Sequence, residues 1–121
     1  MIDEVEAKRV ADLVKIFENS AKEFYRGLDL LNNKIQRKAV ANFFDAAKEL
    51  DTIGSGRRNA LENLLDNDHS GVRVTAAFYL INLMPEKALA VLREIHAMRI
   101  GEPSIRAMRA IFMYEHNNEF P

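Results

Sequence analysis

The segment from Asp66 to Gly71 comes closest, among all segments of this 121-residue chain, to the spacing of a metal site. Four of its residues fit positions one, three, five and six of an EF-hand calcium loop: Asp66, Asp68, Ser70 and Gly71. The match fails at position twelve, where calcium requires a bidentate carboxylate and the chain has Ala77. We therefore predict a structural turn between two helices, with Ser70 as the cap of the second helix.

Two arginines, Arg73 and Arg106, each follow a branched apolar residue near the start of a predicted helix. They could form a basic stripe for phosphate or for an acidic partner. Alternatively, each could turn back to carboxylates and carbonyls of the preceding turn. We favour the second interpretation, because charge pairs near a bend explain both residues, and we expect Asp66 or Asp68 to pair with Arg73. Arg73 thereby joins the predicted structural turn.

Residue types that could perform catalysis are present without the spacing that catalysis needs. The chain has no cysteine, and its histidines, His69, His96 and His116, share no metal-ligand spacing. No serine lies in a nucleophile motif. The sequence therefore predicts a protein that is not an enzyme and that takes no cofactor or metal. A pair of carboxylates brought together by the fold is the remaining enzymatic alternative.

The charge balance narrows the class of partner. The chain has 17 basic and 18 acidic side chains, a formal net charge of -1, which opposes non-specific binding to nucleic acid. A hydrophobic share of 48% with 29% charged residues is typical of a folded soluble domain. The longest near-apolar stretch, 74–81, is far shorter than a membrane span. We expect a cytoplasmic protein that binds neither membrane nor nucleic acid.

Apolar residues recur at helical spacing along almost the whole chain, which predicts an all-α single domain, 1–121, of about six helices. Residues 1–54 are predicted to form a long antiparallel helix pair, with a break near Gly27 and Asn32 and an end at the glycines of 54–56. Shorter helices are then expected at about 57–66, 71–83, 86–99 and 104–115, with Pro85 opening the fifth helix.

The segment 57–115 contains two similar helix–turn–helix units. Leu61 and Leu64 of the first unit match Leu89 and Leu92 of the second. In both units the second helix opens with a branched apolar residue and arginine, and it carries alanines that allow close helix approach. These features resemble the HEAT-like repeat of the α-solenoids, which implies two HEAT-like units and a short α-α superhelix.

From roughly Leu13 to Tyr114 the chain also resembles a bacterial domain-of-unknown-function family, the one numbered twenty-nineteen. The resemblance is carried by a set of short motifs: Asn42, the leucine segment 61–65, Val72-Arg73, Ala76-Ala77 and the segment 85–92. That family has no established activity. The resemblance therefore implies a fold and no catalytic residues.

The last predicted helix has more apolar residues than a terminal helix needs. A terminal solenoid helix is normally polar on its outer side, whereas this helix is apolar on two sides, and it has Arg109 where the fourth helix has the small Ala76. We therefore predict an interaction surface on this helix: Ala107, Arg109, Ile111, Phe112 and Tyr114. The alternative is that the first long helix folds back and covers these side chains.

Taken together, these patterns predict a non-enzymatic protein-interaction module. It would bind a protein partner that the sequence does not identify, or it would self-associate as a homodimer. One alternative is an immunity-type inhibitor of a bacterial toxin. Another is weak nucleic-acid binding by a HEAT-like fold, which requires a continuous basic groove that the interleaved acids oppose.

Overall fold

The computed structural model describes residues 4–54 and 56–121, and this part of the chain is helical without a strand, which confirms the predicted all-α class. It forms six helices: α1 Glu4–Asp29, α2 Asn33–Thr52, the 3₁₀ helix η1 Arg58–Asp66, α3 Ser70–Leu80, α4 Pro85–Met98 and α5 Glu102–Glu115. The chain divides into two compact units, with the boundary between Ala60 and Leu61. None of the described helices is both long and apolar enough to cross a bilayer.

The first unit is built on the hairpin of α1 and α2, as the sequence predicts. Its turn depends on Leu31, whose φ of 52° is in the left-handed region, and on Asn32. The Asn32 side chain caps α2 by accepting a hydrogen bond from the Ile35 amide at 3.0 Å. Gly27 allows α1 to approach this first turn closely, because a Cβ there would lie 2.9 Å from Cγ of Gln36.

Aromatic and small side chains fill the space between α1 and α2. The ring of Phe43 lies between those of Phe17 and Phe24, at centroid distances of 5.8 and 6.2 Å. Ala21 and Ala47 are fully buried, and they allow the two helices to pack at close range around these rings. The long hairpin therefore has a core of its own.

Two ion pairs lie at the end of the hairpin opposite its turn. Arg9 on α1 donates two hydrogen bonds to Glu49 on α2, at 2.5 and 2.8 Å, which lowers the pKa of the Glu49 carboxyl. The buried Arg58 donates to both carboxylate oxygens of Asp51, at 2.9 and 2.7 Å. The predicted end of the hairpin is confirmed by Gly54, which has a φ of 52°, whereas Ser55 lies outside the described residues.

The next helix along the chain is a 3₁₀ helix. It spans Arg58–Asp66, where the sequence predicted a short helix at about 57–66 without specifying its type. A 3₁₀ helix has three residues per turn, so Leu61 and Leu64 lie directly above one another, and both are buried. A spacing of three satisfies either helix type, which is why the pattern did not distinguish them.

In the second unit α3 packs against α4 and α5. Pro85 opens α4 as predicted, whereas α3 ends at Leu80 rather than at 83. Between α4 and α5 the hydroxyl of Ser104 donates to the Ile95 carbonyl at 2.7 Å and accepts from the Ile100 amide at 2.9 Å. Ser104 thus ties α5 to the last turn of α4 and fixes the geometry of the connection.

Candidate functional site

The predicted structural turn joins η1 to α3, with one correction to its cap. The cap of α3 is His69, whose Nδ1 accepts a hydrogen bond from the Val72 amide at 3.3 Å, and Ser70 is already the first helical residue. Asn67 supports this arrangement by accepting from the His69 amide at 2.9 Å. With His69 in the extended conformation required of a cap, Ser70 and Gly71 begin the helix instead of preceding it.

Arg73 turns back to the preceding turn, as predicted, but its acidic partner is a different one. Its Nε donates to the Leu65 carbonyl at 2.9 Å, and its other bond goes to Glu94 of α4 at 3.0 Å. The expectation that Asp66 or Asp68 pairs with Arg73 is therefore wrong. Both aspartates are exposed, while Glu94 reaches the guanidinium because α3 packs on α4.

The same turn contains no assembled metal site. Among residues 4–54 and 56–121, no three histidine, aspartate or glutamate side chains lie close enough together to hold a metal ion. Asp66 and Asp68 are exposed on the outside of the bend, and no carboxylate stands at the twelfth position. The segment connects η1 to α3.

The predicted interaction surface on α5 is divided between two sides of the helix. Ala107 is completely buried and Ile111 is half-buried, so the inclusion of Ala107 in an exposed surface is wrong. With 3.6 residues per turn, Ala107, Ile111 and Tyr114 lie on the side of α5 that includes the buried Ala110. Arg109 and Phe112 lie on the outer side.

The outer side of α5 carries a row of large apolar side chains, which we call the α5 stripe. It consists of Ile105, Met108 and Phe112, which are 46, 49 and 56% exposed. Their spacing of three and four residues places them along one line of the helix. The predicted surface included Phe112 of this row, but it did not include Ile105 or Met108.

A groove lies beside the α5 stripe, between the end of α4 and the start of α5. Its volume is about 290 Å³, and we call it the α4–α5 groove. Six residues line it: His96, Arg99, Gly101, Ser104, Ile105 and Met108. Exposed Met98 and Ile100 extend the apolar surface along the connection between the two helices. The α5 stripe and the groove thus share two apolar side chains and form one surface.

Two arginines beside this surface have no acidic partner within the described ranges, 4–54 and 56–121. Arg99 and Arg109 are exposed, and neither forms an ion pair with any residue that the structure describes. In contrast, Glu102 at the start of α5 pairs with Arg106 at 3.4 Å. Arg99 has a φ of 53°, and this left-handed residue caps α4 at the edge of the groove.

The far end of the stripe is ordered by a histidine. The His116 ring stacks on the Phe112 ring, with centroids 3.9 Å apart, and a ring nitrogen lies 2.9 Å from the Phe112 carbonyl oxygen. The same carbonyl also accepts a hydrogen bond from the backbone amide of His116 at 3.1 Å, which closes the last turn of α5. The histidine therefore holds Phe112 in position while leaving more than half of its surface exposed.

A comparison with family models identifies the family. Residues 11–112 match the model described as Domain of unknown function (DUF2019). The chain belongs to the DUF2019 family. The match includes the leucine segment, the Val72-Arg73 pair and the α5 stripe, and it confirms the resemblance found in the sequence.

A solved structure shows the same fold. Protein RPA1889 from Rhodopseudomonas palustris CGA009 superimposes with a TM-score of 0.88 at 21% sequence identity. The superposition covers 100% of this chain and 99% of the other. At this identity the likeness concerns the fold alone. No curated protein matches the chain.

This DUF2019 domain has a larger and more polar groove on its first unit. The groove lies between α1 and α2, has a volume of about 480 Å³ and includes Asn42, one of the residues that carry the family resemblance. Its charged groups are partly neutralised at the surface, since Arg26 pairs with Glu23 at 3.0 Å. Without a row of exposed apolar side chains, it offers less to a protein partner than the surface on α5.

Proposed function

We propose that this protein is a non-enzymatic protein-interaction module whose docking surface is the α5 stripe together with the α4–α5 groove. The observation that carries the proposal is the alignment of Ile105, Met108 and Phe112 on one exposed line of α5. Scattered apolar side chains are common on protein surfaces, whereas a contiguous row beside a groove is typical of sites that bind a protein segment.

The composition of the surface supports this proposal. Met98 and Met108 contribute flexible, polarizable side chains, which adapt to the shape of a bound segment. Phe112 contributes a large aromatic anchor, and Ser104 and His116 hold the backbone and the ring around it in place. A rigid frame beneath adaptable side chains reduces the entropy that is lost when a partner binds.

The arrangement of helix pairs also supports it. If η1–α3 and α4–α5 are two HEAT-like units, the outer face of α5 corresponds to a face on which a neighbouring repeat stacks in a solenoid. The apolar outer face of α5 is therefore suited to a partner that stacks on it as a neighbouring repeat would.

The test compares two glutamate substitutions at equally exposed apolar positions of the second unit. Phe112 and Leu83 are both 56% exposed, but Leu83 lies in the connection between α3 and α4, away from the stripe. We expect Phe112→Glu to remain folded and to lose self-association, or a native partner, in light scattering and affinity capture. Leu83→Glu should behave like the unchanged protein. If Phe112→Glu unfolds the domain, the stripe is core and the proposal fails.

A further inference from the structure

We infer that the occupant of this surface is an acidic amphipathic helix of a partner protein. Its apolar side chains would lie on the α5 stripe, and its carboxylates would reach Arg99 and Arg109. This inference rests on the proposed function, and it adds the chemical character of the partner. Three features support it: two cations without an ion pair, the spacing of the α5 stripe, and the like charges that two copies of this chain would bring together.

The cations that flank the stripe are available to a partner. Arg99 and Arg109 form no ion pair within the described part of the chain, and both guanidiniums are exposed. Two acidic side chains near this surface already have partners, since Glu94 of α4 pairs with Arg73 and Glu102 at the start of α5 pairs with Arg106. Carboxylates of a partner would therefore pair with Arg99 and Arg109, and these ion pairs would set the orientation of the bound partner.

The spacing of the stripe suits a helix. Ile105 and Phe112 are two helical turns apart, which corresponds to about 10.5 Å along α5. A partner helix presents anchors at the same interval when its apolar residues recur at positions i, i+3 or i+4, and i+7. The α4–α5 groove, about 290 Å³ in volume, would receive one further anchor between Arg99 and Met108.

A second copy of the chain fits this surface less well. A two-fold axis through the middle of the stripe would pair Ile105 with Phe112 of the other copy. The same axis would place Arg109 of one copy opposite Met108 of the other, so the two Arg109 side chains would be neighbours across the interface. Two like charges brought together at an interface oppose association, whereas a partner with glutamates relieves that repulsion.

The experiment uses two synthetic helical peptides with the same apolar residues, one flanked by glutamates and one by lysines. Binding to the full chain is measured by fluorescence anisotropy. We expect the acidic peptide to bind about tenfold more tightly than the basic one. The double variant Arg99→Glu/Arg109→Glu should reverse this preference. The control Lys34→Glu/Arg37→Glu replaces two exposed cations of α2 and changes the net charge by the same amount. This control should still bind the acidic peptide more tightly than the basic one.

Other outcomes overturn the inference in distinguishable ways. Equal binding of both peptides, or tighter binding of the basic one, contradicts an acidic partner. If neither peptide binds while the chain self-associates and Phe112→Glu abolishes that association, the occupant is a second copy and the proposed function stands. If neither peptide binds and Phe112→Glu changes no association at all, the inference and the proposed function both fail.

Discussion

The helices α3 and α5 have similar sequences and very different surroundings. Eight of the eleven residues of α3 are buried, whereas only three of the fourteen residues of α5 are. The position of the small, fully buried Ala76 in α3 corresponds to the exposed Arg109 in α5. A similar apolar pattern is therefore buried in α3 and partly exposed in α5, because the two helices differ in the elements that pack against them.

The end of the chain illustrates this difference. Residues 116–121 follow α5, and after His116, whose ring stacks on that of Phe112, they return toward α3. The ring of Phe120 lies 4.9 Å from that of Phe78 on α3, measured between centroids. The tail thus adds to the covering of α3, whereas the α5 stripe is left exposed.

The largest expected contrast is between truncations of the two helices. Leu80 on α3 is fully buried, so Leu80→Ala should reduce the free energy of unfolding by about 2–5 kcal/mol. Phe112→Ala on α5 should cost less than about 1 kcal/mol, because most of its ring is already in water. Urea denaturation of both variants measures the difference. Similar losses would show that the stripe is as much core as α3.

A smaller contrast is expected from enlarging alanines. Ala77 is fully buried in α3, where the helices meet, and Ala77→Leu should overpack this contact at a cost of about 1–3 kcal/mol. Ala97 near the end of α4 is exposed, so Ala97→Leu serves as the control with an expected change within about 0.5 kcal/mol. Unfolding midpoints decide the outcome, and an unchanged midpoint for Ala77→Leu would refute the register of α3.

The smallest contrast is between arginines. Arg73 donates to the Leu65 carbonyl and to Glu94, so Arg73→Ala should cost about 1 kcal/mol of stability. Arg109 has no ion pair among the described residues, and Arg109→Ala should leave stability within about 0.5 kcal/mol. Thermal unfolding of the two variants provides the measurement. A larger loss for Arg109→Ala would place that side chain in the packed structure rather than at a docking surface.

The features of the fold that depend on local signals were predictable from sequence. The helical period predicts six helices, Asn32 marks the turn of the hairpin, and Pro85 marks the start of α4. Each of these signals acts within a few residues, through capping or through the fixed φ of proline. The family resemblance, which rests on contiguous motifs, was confirmed for the same reason.

Features that depend on packing were not predictable in the same way. Glu94 is distant from Arg73 in the sequence, and no local pattern indicates that α4 brings the two together. Ala107 was included in the predicted surface because Ala107 and Phe112 both continue an apolar pattern, although Ala107 is buried and Phe112 is exposed. The periodicity of a sequence shows which apolar residues share one face of a helix. Tertiary contacts determine which of these faces is buried.

The most direct test of the docking surface is a methyl NMR titration of the chain labelled at its methionines, with the acidic peptide as the partner. Met98 and Met108 lie on the surface, exposed by 45 and 49%, whereas Met84 is a half-buried internal reference outside it. We expect the Met98 and Met108 methyl resonances to shift with peptide concentration while Met84 remains unchanged. Shifts confined to Met84, or no shift at either surface methionine, would contradict docking of an acidic helix at this surface.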